Sequence, residues 1–285
     1  MGQALYEREP AARAVFDQAD ELLGFSLSQL CFEGPEEALT DTVNQQPALY
    51  VTSLAAWAVL QEKEGGEAAL MAGHSLGEFS ALYAAGAFTF EDGLTLVRHR
   101  GVLMKRAGEL APGAMAAILG LDMEEIEAIC KRAQVITGQP VQVANDNCPG
   151  QVVISGDERS LNTSLRLAEE AGARKIVRLP ITIAAHSPLM GSAAMSFTQA
   201  VHAAAIRPTE IPVIANTTAQ PISRVEEIRQ ELIGQLTHSV LWAPSMRFAR
   251  EQGLERFVEV GPGDVLTGLM KRIDRKVERI AFMSD

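Results

Sequence analysis

The segment that most constrains this chain is Gly73-His74-Ser75-Leu76-Gly77. It follows the apolar stretch Ala68-Ala69-Leu70-Met71-Ala72 and precedes Glu78-Phe79-Ser80-Ala81-Leu82-Tyr83, an order that predicts strand, sharp turn and helix. Glycines two places either side of Ser75 leave room for a strained turn that lifts the serine Oγ clear of a sheet. The helix starting there aims its unpaired N–H groups at any oxyanion nearby. The five-residue pattern alone also fits an ordinary tight turn; the elements on both sides are what favour a nucleophile.

A strand that feeds a nucleophile turn implies an α/β fold, and the rest of the chain supplies one. Residues 9–23 and 45–63 read as amphipathic helices, the second opening at Gln45-Gln46-Pro47 with proline in a tolerated first-turn position and ending near Gly65-Gly66. A further helix is expected from Phe90 to Glu109. Then come Ala114–Leu119 as strand, Asp122–Ala133 as helix, Val141–Ala144 and Gln151–Gly156 as strands, Ser160–Ala171 as helix and Lys175–Leu179 as strand. This β-α-β-β-α-β order is the ferredoxin-like arrangement. The predicted fold is therefore a parallel-sheet, α/β-hydrolase-like large domain, residues 1–111 and 183–285, with a ferredoxin-like subdomain, residues 112–182, inserted into it. Strands at Val213–Asn216 and Phe257–Val260 are expected to return the chain to the parallel sheet, the second leading into a helix from Asp264 to Ile273.

Composition narrows the setting. With 285 residues, 47% of them hydrophobic, the chain can bury a sizeable core. No apolar stretch reaches the ~20 residues of a membrane span, and no secretory signal opens the chain, so a cytoplasmic, monomeric protein is expected. Cys31, Cys130 and Cys148 fit neither a disulfide framework nor a zinc pattern and are read as packing residues. A net charge of −11, from 36 acidic and 25 basic residues, argues against nucleic acid or an anionic membrane as partner.

A serine hydroxyl needs a base, and the chain offers His74, His99, His186, His202 and His238. His74 adjoins Ser75, so its side chain points elsewhere; His99, His202 and His238 fall in mixed-polarity helical stretches and read as solvated. His186 stands where a strand leaves the sheet and Ser187-Pro188 start a helix, the edge on which open α/β sheets place their sites. No acidic residue has a claim to orient it, so a backbone carbonyl holding Nδ1–H would make a Ser-His dyad. On the helix from Phe90, Leu96, Val97, Gly101, Leu103, Met104 and Ala107 gather on one side, and Arg100 falls among them. A guanidinium on an apolar face needs an anion, either a buried carboxylate of the protein or a carboxylate of the substrate. The sequence alone leaves the two open.

Taken together, Gly73-His74-Ser75-Leu76-Gly77-Glu78, Arg98-His99-Arg100-Gly101, Gly113-Ala114-Met115-Ala116-Ala117-Ile118, Asn147-Cys148-Pro149-Gly150-Gln151, Ala185-His186-Ser187-Pro188-Leu189-Met190 and Glu259-Val260-Gly261-Pro262-Gly263 resemble the malonyl-CoA:acyl carrier protein transacylases of type II fatty acid synthesis and the related acyltransferase domains of polyketide synthases. The resemblance implies a two-step transfer. Ser75 takes malonyl from coenzyme A as an ester and yields it to the phosphopantetheine thiol of acyl carrier protein, with His186 as base and then acid. It further implies that Leu76 N–H is an oxyanion donor, that the Gln235 main-chain carbonyl orients His186, that Arg100 binds the malonyl carboxylate, and that Met104 and Asn147 line the site. No bound cofactor is expected, coenzyme A entering as the thioester substrate.

Carrier protein is acidic in such systems, so Arg174, Lys175, Lys271 and Arg272 are the expected docking residues. Members of the family open with a short strand and a Pro-Gly-Gln-Gly-Ser-Gln loop ahead of a Met-Gly pair, whereas this chain begins at Met1-Gly2. The first strand of the family fold and the glutamine that completes the oxyanion hole are thus expected to be missing, and the intact Ser75, His186 and Arg100 favour a start assigned too late. Two other readings stand beside the transferase: a serine acyl hydrolase with water as acceptor, and a non-catalytic protein that binds carrier protein without turnover.

Overall fold

The computed structural model describes residues 1–65 and 67–283. Helices α1 (Gln3–Arg8), α2 (Pro10–Leu23), α3 (Leu27–Glu33) and α4 (Glu36–Thr40) lead into the long α5 (Thr42–Glu64). Asp41 starts α5 by accepting the Val43 N–H at 3.0 Å, ahead of the start expected at Gln45. Pro47 consequently lies inside the helix, not in its first turn, and withdraws one donor from the backbone ladder. Gly65 ends α5 in the left-handed conformation, and Gly66, also expected at this end, lies outside the described residues. Tyr50, Val51, Leu54, Ala55 and Val59 of α5 are buried in the main core between α2 and the helix that carries Arg100.

Next come β1 (Met71–Ala72), α6 (Gly77–Ala84) and α7 (Phe90–Leu110), then β2 (Ala114–Leu119), α8 (Met123–Thr137), β3 (Val141–Cys148), β4 (Gln151–Gly156), α9 (Glu158–Glu170) and β5 (Lys175–Arg178). The four strands form an antiparallel sheet in the order β3-β4-β2-β5, the topology of a ferredoxin-like unit. Alternation along β2 explains its two faces. Ala114, Ala116 and Ile118 join Ile126, Ile129, Leu161 and Leu167 under α8 and α9, while Met115, with Ala144 and Val153, turns to the other face, where Ala185 packs.

The chain closes with a 3₁₀ turn (Pro188–Met190), α10 (Gly191–Ala203), β6 (Val213–Ile214), β7 (Pro221–Ile222), α11 (Val225–Gly234), α12 (Trp242–Glu251), β8 (Arg256–Glu259), α13 (Val265–Ile273) and β9 (Glu278–Ala281). Two expectations fail here. The strand before Ser75 shrinks to two residues, paired in parallel as Met71 with Val213 and Ala72 with Ile214, because Pro212 bounds the partner and Gly73 already opens the turn. The strand at Phe257 does not rejoin this sheet but pairs in parallel with β9 alone. An apolar run announces a strand without naming its partner, and the charged β9 gives no alternating signal. The ferredoxin-like sheet is tied to the main body by mutual backbone bonds, Asp146 N–H to Val240 O at 2.9 Å and Val240 N–H to Ala144 O at 2.8 Å. Among the described residues no helix is long and apolar enough to cross a membrane.

Candidate active site

Ser75 sits in the turn between β1 and α6 with φ of 51°, the left-handed region that a non-glycine residue occupies only at a cost of about 1–3 kcal/mol. Gly73 makes the turn possible: a Cβ there would fall 2.0 Å from the Gly77 carbonyl carbon and oxygen. Asn216, just past β6, braces it by accepting the Ser75 N–H at 2.7 Å and donating Nδ2–H to the Gly73 carbonyl at 2.7 Å. The Leu76 N–H has no acceptor among the described residues and adjoins Ser75 at the head of α6.

His186 arrives from the opposite side of the sequence. Ser187 caps the 3₁₀ turn through the Leu189 N–H with Pro188 in its first position, as expected. His186 itself is left-handed, φ 57°, and its carbonyl is held by Gln142 Nε2–H at 2.8 Å. Nε2 lies 2.8 Å from Ser75 Oγ. Nδ1 lies 2.8 Å from the Gln235 carbonyl and 3.2 Å from the His238 carbonyl, so Nδ1 carries the proton and Nε2 is free to accept one. Burial, and then the charge of nearby Arg100, push the imidazole down to about 3. It is therefore neutral at any ordinary pH.

Arg100 is 1% exposed, the largest fully buried side chain. The question left open by the sequence has a geometric answer: among the described residues no carboxylate lies within ion-pair distance of its guanidinium. Its partners are neutral. Nη1 donates to Gln46 Oε1 at 2.9 Å, and Nη2 donates to Gln235 Oε1 at 2.9 Å and to Ser75 Oγ at 3.0 Å; Nε has no acceptor among the described residues. Phe79 lies beneath the guanidinium, 5.7 Å from ring centre to Cζ. Burial lowers its pKa to about 10, which leaves it fully charged.

Ser75, Leu76, Arg100, His186 and Gln235 thus converge on one point. Met104 stands one contact away, its Sδ receiving Gln46 Nε2–H at 3.1 Å. Asn147 meets the site indirectly: its Oδ1 is 2.8 Å from His74 Nε2, and the His74 ring rests against Trp242 rather than facing the Ser75 hydroxyl. His99, His202 and His238 are exposed, though His238 lies in the turn after α11 rather than in a helix. Arg174, Lys175 and Lys271 are exposed and unpaired among the described residues. Arg272 donates Nη2–H to the carbonyls of Pro149 at 3.1 Å and Gly150 at 3.4 Å, clamping α13 to the turn between β3 and β4. Cys31, Cys130 and Cys148 are buried free thiols.

Sequence reasoning did not single out Gln46, Glu78, Gln142 or Asn216 for these roles. Glu78 offered a signal, a carboxylate inside the apolar first turn of α6, and it is fully buried. Its Oε1 accepts the Asn216 N–H at 2.9 Å and its Oε2 accepts Gln235 Nε2–H, while burial, with Glu231 nearby, drives its pKa upward.

The acyl transferase domain family matches residues 1–282. The chain is 44% identical over 283 residues to the malonyl CoA-acyl carrier protein transacylase of Bacillus subtilis, covering 99% of this chain and 88% of that protein. It is 39% identical over 264 residues to the transacylase of the same name from Escherichia coli K12, covering 93% and 85%. Among solved structures, the malonyl CoA-acyl carrier protein transacylase of Coxiella burnetii superposes with a TM-score of 0.95 at 38% identity, over 98% of this chain and 88% of that one. A malonyl-transacylase solved in complex with a type II polyketide acyl carrier protein superposes at 0.94 with 39% identity, over 98% and 90%.

Proposed function

The chain belongs to the acyl transferase domain family, and from that premise we propose that it carries a malonyl group from coenzyme A to the phosphopantetheine thiol of an acyl carrier protein through an ester on Ser75. The observation that supports this reading most is the meeting of three groups: Ser75 Oγ lies 2.8 Å from His186 Nε2 and 3.0 Å from Arg100 Nη2.

In the first half-reaction Nε2 takes the Oγ proton as Oγ attacks the thioester carbonyl. The tetrahedral oxyanion forms beside the unengaged Leu76 N–H, and its collapse breaks the C–S bond as the proton passes to the departing coenzyme A sulfur. In the second half the carrier thiol gives its proton to Nε2, attacks the Ser75 ester and leaves as the malonyl thioester, returning the proton to Oγ. The Gln235 carbonyl stabilises the transient imidazolium and holds its tautomer. Once Oγ is acylated, Arg100 no longer donates to a free hydroxyl, and its two terminal nitrogens turn to the malonyl carboxylate as a fork. That carboxylate also cancels the positive field that weakens His186 as a base, so base strength rises when the correct acyl group is in place. An acetyl group does neither.

Residues 1–111 and 183–285 form the catalytic body in this reading, and residues 112–182 the subdomain beside it. Arg174, Lys175 and Lys271 offer the carrier protein free cations, with Arg272 shaping the same edge. A pre-formed malonyl-enzyme mixed with carrier protein in a single turnover tests transfer against hydrolysis. Malonyl-carrier thioester should form at least tenfold faster than free malonate, and dominant release of malonate would make the protein a hydrolase instead.

A further inference from the structure

The left-handed backbone of Ser75 has to be held by something, and the turn's own peptide groups do only part of it. The Ser75 N–H is taken by Asn216 Oδ1 at 2.7 Å, and the Ser75 carbonyl receives Gln235 Nε2–H at 2.9 Å alongside the Glu78 N–H at 3.2 Å. Both amides are in turn fixed by one carboxylate. Glu78 Oε1 accepts the Asn216 main-chain N–H at 2.9 Å, and Oε2 accepts the same Gln235 Nε2. Asn216 also holds the Gly73 carbonyl, so it spans the turn from both sides of the nucleophile. These groups are buried: Glu78 is 0% exposed, Gln235 0% and Asn216 2%.

We propose that Asn216 and Glu78 are positioning residues for acylation: Asn216 clamps Ser75 in its left-handed turn, and Glu78, as a two-oxygen acceptor, fixes both Asn216 and the Gln235 amide. The chemistry of the donors supports the second part. Two N–H groups from different directions converge on the two Glu78 oxygens, and a carboxyl group presents an acceptor oxygen to each; a glutamine in its place would turn an NH₂ toward one of them. Gln235 then completes a line from Glu78 through its amide to Arg100 Nη2. The guanidinium is thereby held through a neutral amide, and its fork is not occupied by a direct ion pair. The proposal rests on the acyl-enzyme reading given above.

The experiment measures the rate of malonyl loading on Ser75 by rapid quench and intact mass, in wild type, Asn216→Ala, Asn216→Asp and Glu78→Gln, each with its thermal unfolding midpoint. A misplacement near 1 Å at a nucleophile is worth roughly 100-fold in rate. Asn216→Ala and Glu78→Gln should load about 30- to 300-fold more slowly at saturating malonyl-CoA, with KM within about threefold and the pH profile unmoved. Asn216→Asp keeps the acceptor for the Ser75 N–H but loses the donor to Gly73, and should fall between Asn216→Ala and wild type. Because Asn216→Asp keeps the side-chain size, it tests the clamp even if the alanine variant fails to fold. Folded variants that load at the wild-type rate, or that lose KM and rate together, would overturn the proposal. A wild type that acquires no malonyl would instead remove the acyl-enzyme reading, and the proposal with it.

Discussion

Replacing Arg100 by alanine separates recognition of malonyl from the acyl chemistry. The guanidinium is 1% exposed and its contacts among the described residues are neutral, Gln46, Gln235 and the Ser75 hydroxyl, so its charge is available to a substrate carboxylate. Removing one member of a buried ion pair costs about 3–5 kcal/mol, since the other charge stays desolvated and unpaired. At about 1.4 kcal/mol per tenfold, the second-order rate constant for loading by malonyl-CoA should fall by roughly 10²- to 10³·⁵-fold. Acetyl-CoA has no carboxylate to lose, and the variant also lifts the positive field that burial and Arg100 together impose on His186. Its rate should stay within about threefold of wild type or rise, so selectivity shifts by the same two to three orders of magnitude. Rapid-quench intact mass with the two thioesters in parallel measures both. Equal losses for malonyl and acetyl would refute the argument, because they would mean that Arg100 serves the turn or the fold rather than the carboxylate.

Because His186 is held at about 3, kcat/KM for loading should show no inflection near 6.5 between about pH 8 and pH 5; a loss of activity centred near 6.5 would contradict the buried, neutral base. The same depression has a stability consequence with a definite sign. Below about 6.5 the unfolded imidazole binds a proton that the folded one refuses, so this contribution is whole above 6.5 and is lost as pH falls toward 3. Chemical denaturation should show a steeper acid loss in wild type than in His186→Ala. Gly73→Ala would set a Cβ 2.0 Å from the Gly77 backbone, whereas Gly77→Ala meets nothing within 4 Å; the first should abolish folding or loading and the second preserve the fold, as read by circular dichroism and loading rate. Lys271→Glu should raise KM for carrier protein and leave that for malonyl-CoA unchanged, while Arg272→Glu should also lower the melting temperature, because it breaks the bonds to Pro149 and Gly150.

What could be read from the chain was whatever has a local physical signature. Gly73 and Gly77 around Ser75, Ser187-Pro188 after His186, and Arg100 on an apolar helical stripe each break or satisfy a rule within a few residues. The β-α-β-β-α-β order likewise fixed the antiparallel sheet, since that order admits few compact topologies. Partnership across long separations left no such mark. Asn216 lies 141 positions from Ser75, and nothing about an asparagine after a strand says whose N–H it will accept. Gln46 and Gln142 are ordinary amides in sequence and become specific only when Arg100 and the His186 carbonyl arrive beside them. Strand β8 was legible as a strand and its partner was not, for the same reason. Pro47 misled because a first-turn proline is the common case, whereas Asp41 had already started the helix.

The most direct test weighs the intact protein after brief exposure to malonyl-CoA, in wild type, Ser75→Ala and His186→Ala, and then maps the adduct by peptide sequencing. A single malonyl ester on Ser75 in wild type, none in Ser75→Ala and loading slowed by orders of magnitude in His186→Ala is the predicted result. An adduct at another residue, or undiminished labelling without Ser75, would contradict the account.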